Sequence, residues 1–142
     1  MKGSARGRYG LQMMVELALQ AGRGPVLVAV IAQRQALPPK FLRVLLGSLK
    51  GAGLVKVQRG PSGGCELARH PSHITALAVL EALEGRLGAA ESGPGANASA
   101  RAVRELWARS TEAARAVLRT TTLTDLAARQ QALEVDSHGY SI

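Results

Sequence analysis

Residues 59–69 read "RGPSGGCELAR", and Lys40, Arg43 and Lys50 stand a short way upstream. Side chains of this type do one kind of chemistry well: they hold polyanions. Each Lys or Arg brought to a phosphate releases condensed counterions, and an arginine adds a planar fork of five donors. The bland alternative is a basic surface that only keeps the protein in solution. The distribution of charge argues for a binding face. Residues 1–70 hold eleven Lys and Arg against Glu16 and Glu66, a balance of +9, whereas residues 71–142 hold seven against eight acids, a balance of −1. The positive field belongs to the first half of the chain, as in a polyanion-binding head.

Other reactive side chains are few. Cys65 is the single cysteine, so neither an internal disulfide nor a thiolate-rich metal centre can form. His70, His73 and His138 have no spaced acidic partner, and there is no nucleophile motif, phosphate loop or carboxylate pair. Zinc on Cys65, His70 and His73 would have one thiolate and two loop imidazoles, a thin donor set. The inventory therefore excludes an enzyme and predicts neither metal nor cofactor.

The elements that must position the cations can be read from periodicity. Leu11, Met14, Val15, Ala18 and Leu19 form a helical stripe over Arg8 to Ala21, which Gly22 and Gly24-Pro25 end. A second helix starts near Val28 and runs to Gln35, with Leu27 a poor cap. A third, Pro39 to Lys50, turns Leu42, Leu45, Leu46 and Leu49 inward and shows Lys40, Arg43 and Lys50 outward. "LVKVQ" alternates as a strand over Leu54 to Gln58, with "CEL" over Cys65 to Leu67 as its partner across the Gly/Pro turn. Three helices followed by a hairpin is the order of a winged helix-turn-helix. Glycine and proline keep the wing tip thin, and Arg59 at its base suits phosphate or a narrow minor groove. The alternative is a turn whose glycines satisfy the backbone and whose arginine is solvated.

Beyond Pro71, Thr75 caps a short helix with Ile74, Val79, Leu80 and Leu83 on one side. "RLGAAESGPGANAS" has the composition of a flexible loop. Arg101 to Arg119 is then free of glycine and proline, with a stripe of Val103, Leu106, Trp107, Ser110, Ala114, Val117 and Leu118. Nothing else in the chain is large enough to cover that stripe and the head together, so a second subunit is its expected partner; packing on the first helix is the alternative. Thr122 and Asp125 stand at capping-box spacing before a last helix. The expected organisation is a winged-helix head over residues 1–85, a loop over 86–100, and a dimerisation helix with a C-terminal segment over 101–142. Apolar runs are broken well before ~18 residues and the N-terminus lacks a signal-peptide pattern, which points to a cytoplasmic protein.

The segments "KGSARGRYGLQMMVELAL", "IAQRQALPPKFLRVLLGSLKGAGLVKVQRGPSGGCELAR", "ITALAVLEALEG" and "LWARSTEAARAVLRTTTLTDL" together resemble the Rrf-type bacterial regulators. This winged-helix family contains an iron-sulfur-cluster regulator, a nitric-oxide-sensing repressor and a cysteine-metabolism repressor. The resemblance implies a mainly α fold with a small β-hairpin, and a homodimeric, DNA-binding protein, usually a repressor on a palindromic operator, with the long helix as its seam. It also implies Lys40, Arg43 and Val44 in the major groove and Arg59, Gly60 and Pro61 in the minor groove. Arg8 and Tyr9 match the N-terminal motif and would touch phosphate or brace the first helix.

Three departures qualify it. The loop carries none of the three cysteines of cluster-binding members, and a cluster needs thiolates. Cys65 stands where tyrosine is common, as a small buried hydrophobe or a redox-active thiol. Arg43 replaces an acidic or amide residue, which should redirect base preference toward guanine. The expectation is a cluster-free repressor. Its alternatives are a ligand- or thiol-sensing regulator, and a protein-interaction module controlled by a docked metabolic enzyme, a partner that the cysteine-metabolism branch of the family uses.

Overall fold

The computed structural model describes residues 4–59, 64–87 and 97–139. Helix α1 spans Ala5–Leu19, α2 Val28–Gln35, α3 Pro39–Gly51, α4 Ala76–Glu84, α5 Ala98–Thr120 and α6 Leu123–Gly139. Strands β1 (Val55–Val57) and β2 (Cys65–Leu67) pair antiparallel, with Val55 opposite Leu67 and Val57 opposite Cys65. The expected winged helix-turn-helix with a long C-terminal helix is the architecture observed.

Helix α1 begins earlier than its apolar stripe suggests, because Ser4 accepts the Gly7 N–H and caps it. Its buried face is also rotated from the expected one. Met13, Met14 and Leu17 are the fully buried residues, whereas Leu11 and Leu19 stay half-exposed. Gly7 and Gly10 explain the rotation. A Cβ at Gly10 would strike the Leu83 side chain, and one at Gly7 would lie 2.7 Å from Glu84 Oε1. Two glycines thus form the face on which α4 packs, and hydropathy does not register them.

Leu42, Leu45, Leu46 and Leu49 of α3 are all buried as their spacing predicts, and a fully buried leucine contributes about 1.5–3 kcal/mol. Between α2 and α3, Ala36 is left-handed at φ 53°, and the Leu37 N–H reaches back to the Ala32 carbonyl at 2.9 Å. A non-glycine residue there costs about 1–2 kcal/mol. Leu37, buried in the core, holds the turn in place.

Thr75 caps α4 by accepting from the Ala78 N–H. Asn97 caps α5, which starts at Ala98 and so takes in three residues expected to be loop. At its far end the Thr122 N–H donates to Asp125 Oδ2 and the Asp125 N–H to Thr122 Oγ1, the reciprocal capping box. The junction also bonds back to the head: the Ala76 N–H donates to the Thr121 carbonyl and the Leu123 N–H to the Ile74 carbonyl. Leu123 is fully buried in the same core as Met13 and Ile74, so α6 closes the head instead of trailing from it. No described helix is long and apolar enough to cross a membrane.

Candidate nucleic-acid interface

The outer face of α3 presents Lys40, Arg43, Val44 and Lys50, all exposed. Val44 is 59% exposed although apolar, since its neighbours Leu42, Leu45 and Leu46 take the inward positions. Arg59 follows β1 and is exposed as well. Gly60 and Pro61 lie outside the described residues.

Two contacts fix the wing beside the helix pair. The Val26 N–H donates to the Cys65 carbonyl at 2.8 Å, and the Cys65 N–H returns the bond to the Val26 carbonyl at 2.9 Å. Val26, two residues before α2, is thereby hydrogen-bonded to β2. Gly64 permits this, because a Cβ there would stand 2.5 Å from the Val26 carbonyl oxygen. The Gln58 N–H closes the hairpin on the Gly64 carbonyl at 2.8 Å.

Between α3 and the wing runs an open groove of about 530 Å³. Arg43, Lys50 and Arg59 come together on it, and Leu27, Gly47 and Val57 are among its other lining residues. Lys40 and Val44 share α3 but lie outside the groove, and so does Arg8 on α1. Among the described residues, none of Lys40, Arg43, Lys50 and Arg59 takes part in an ion pair. Four cations on one helix and the wing beside it, without an ion pair among the described residues, create a field suited to a polyanion. The sequence reading missed Leu27, Gly47 and Val57. The strand alternation marked Val57 only as an apolar position of β1.

Tyr9 is half-buried, edge-on to Phe41 with centroids 5.7 Å apart and planes at 89°. It braces α3 against α1. A neighbouring arginine that the sequence reading passed over does more: Arg6 donates to the Leu83 carbonyl and to Ser48 Oγ of α3. Arg8 stays exposed.

The long helix α5 runs about 34 Å for its 23 residues. Along it Val103, Leu106, Trp107 and Val117 are 52–64% exposed, with Ser110 also exposed and donating to the Leu106 carbonyl. Ala114 and Leu118 are half-buried, and Arg115 ties α5 to the head by donating to Glu81 and to the Leu87 carbonyl.

Comparison with known proteins gives a consistent result. Residues 3–129 match the Rrf2 family model, described as an iron-dependent transcriptional regulator. The HTH-type transcriptional regulator CymR of Bacillus subtilis is 43% identical over 127 residues, covering 89% of this chain and 90% of that protein. The solved structure of B. subtilis CymR, a global cysteine regulator, superimposes with a TM-score of 0.81 at 42% identity, over 91% of this chain and 98% of that one. T. potens IscR superimposes with a TM-score of 0.76 at 35% identity, over 92% and 88% of the two chains.

The family description raises iron, and the donors here do not fit a thiolate-held cluster. Residues 88–96 contain neither cysteine nor histidine. Cys65 is fully buried in β2 with its thiol 3.6 Å from the Val26 carbonyl, and burial pushes it up to about 11. Among the described residues no three His, Cys, Asp or Glu side chains are grouped as metal ligands. Matched along most of its length in sequence and in fold, the chain belongs to the Rrf2 family of transcriptional regulators.

Proposed function

We propose that this protein is a sequence-specific DNA-binding repressor that acts in the cytoplasm as a homodimer on a palindromic operator, without an iron-sulfur cluster. The observation that carries the DNA reading is the convergence of Arg43, Lys50 and Arg59 on one groove with no acidic partner among the described residues. In this reading Lys40, Arg43 and Val44 meet base edges in the major groove, Lys50 and Arg59 meet the backbone, and Arg59 with Gly60 and Pro61 approaches the minor groove.

The second copy is supported by α5. An apolar face of Val103, Leu106, Trp107 and Val117 is left half open to water by the described residues, and a second α5 supplies an equal apolar surface. Ala114 and Leu118 lie at the edge of that seam. Two heads held by a twofold axis require two half-sites, hence a palindrome.

Titration of a fluorescent duplex at several salt concentrations tests this reading. DNA binding gives a steep fall of log K with log salt, and a flat profile would overturn it. Docking of a metabolic enzyme is the competing mode of action, and it carries no such slope.

A further inference from the structure

Gly47 stands in the second half of the recognition helix α3, and nothing among the described residues requires it. Its backbone is helical, without a positive φ, and a glycine at such a position costs about 1 kcal/mol relative to alanine. A Cβ built at Gly47 would meet no heavy atom of the described residues within 4 Å. Gly7, Gly10 and Gly64 differ: each touches a neighbouring element so closely that a Cβ would collide. Those three are explained by packing, and Gly47 is not.

Its surroundings supply a reason outside the chain. Gly47 is exposed and lies on the groove between α3 and the wing. Arg43 precedes it by one turn and Lys50 follows by three residues, so both cations share its face. Arg59 and Val57 line the groove from the wing, and Leu27 from the start of α2. The lining therefore combines the bare backbone at Gly47, three cations and several apolar side chains. That combination fits a phosphodiester strand, whose phosphates seek the cations and whose deoxyribose rings can lie on aliphatic side chains.

We propose that Gly47 is a close-approach position, where one DNA strand runs through the groove against the bare backbone of α3. Its phosphates reach Lys50 and Arg59, and its sugars lie on Leu27 and Val57. The inference rests on the DNA-binding reading and adds to it a residue that positions the strand without contacting a base. A methyl group at 47 would hold the strand off the helix and lengthen both phosphate contacts.

Gly47→Ala separates this from a merely tolerated glycine, because stability and binding should move in opposite directions. Gly51→Ala is the control: Gly51 is also exposed in α3 with open space for a Cβ, and it does not line the groove. The probe is a duplex selected by the wild-type protein from a random-sequence pool. Both variants should melt at or above the wild-type temperature. Gly47→Ala should bind roughly tenfold more weakly with a shallower salt slope, as expected from losing one or two phosphate contacts. Gly51→Ala should bind as wild type does. Binding by Gly47→Ala within about twofold of wild type, at a resolution of roughly 0.4 kcal/mol, would overturn the proposal while leaving the DNA reading intact. Melting below wild type would also overturn it, since the space at 47 would not be open. A wild-type protein without salt-dependent duplex binding would overturn the underlying reading itself.

Discussion

Arg34 Nη1 donates to Glu16 Oε1 at 2.6 Å across the contact between α1 and α2, and the two partners sit in unequal surroundings. The Glu16 side chain is 6% exposed and that of Arg34 52%. The arginine therefore keeps much of its hydration, while the carboxylate depends on its partner. Arg34→Ala would leave a buried acceptor unsatisfied, and the expected cost is about 1–3 kcal/mol. Urea unfolding checks it, and a midpoint equal to wild type would show that water reaches Glu16. Because α2 carries the turn into α3, the variant should also weaken DNA binding.

Cys65 is expected to be inert. Burial raises its thiol to about 11 from an ordinary 9.0, so the reactive thiolate is scarce at neutral pH. The native protein should label slowly with a thiol reagent near pH 8 and rapidly in denaturant. The sign of the linkage also follows. The folded state holds the proton more tightly than the unfolded chain, so the contribution of Cys65 to stability is intact below pH 9 and is lost as pH rises from 9 toward 11. Rapid native labelling at pH 8 would make the thiol a sensor after all.

Much of the fold was legible because several of its signals are local. The leucines of α3, the Thr75 cap, the Thr122–Asp125 box and the hairpin around Cys65 each depend on a few neighbouring residues. What stayed hidden depends on distant parts of the chain. Met13 and Leu17 face the core since Gly7 and Gly10 admit α4, a fact set by Leu80 and Leu83 some seventy residues away. Ala36 is left-handed with no glycine or asparagine to announce it. Leu123 joins the head because the Thr75 and Thr122 segments meet, and no periodicity reports that. Of the proposed DNA face, charge revealed the cations. The groove with Gly47, Leu27 and Val57 appears only when the wing is placed beside α3.

The apolar face of α5 makes a prediction about assembly. Leu106 is 53% exposed and Val117 64% within one subunit, so a charge there is tolerable in a monomer. In a seam it would be buried unpaired, at about 3–5 kcal/mol. Leu106→Glu and Val117→Glu should fold and sediment as monomers. Trp107, the single tryptophan, should shift its emission to longer wavelength in both variants. An undisturbed dimer would move the seam elsewhere.

The donor set makes a prediction about iron. Anaerobic reconstitution with iron and sulfide should leave the protein without a visible absorption band and with substoichiometric iron, for Cys65 is a lone buried thiol. Recovery of about two irons per subunit, the content of the smaller common cluster, would require ligands from elsewhere.

Arg43 and Arg59 line the same groove from different elements, and their removal should have different consequences. Arg43 projects from the outer face of α3 beside Val44, where a bidentate contact to a guanine edge is the favoured role for arginine. Arg43→Ala should cost roughly 1–3 kcal/mol on the preferred sequence, relax preference at one position of each half-site and change little elsewhere. Arg59 belongs to the wing, and its loss distinguishes two modes of contact. If it enters a minor groove, Arg59→Ala weakens binding most where A·T-rich flanks narrow that groove and deepen its potential. If it meets phosphate alone, the loss is uniform across sequences and the salt slope falls by about one. Binding to every duplex as strong as wild type, with the slope unchanged, would detach the wing from DNA. Gly64 and the Val26–Cys65 bridge would then serve only to close the fold.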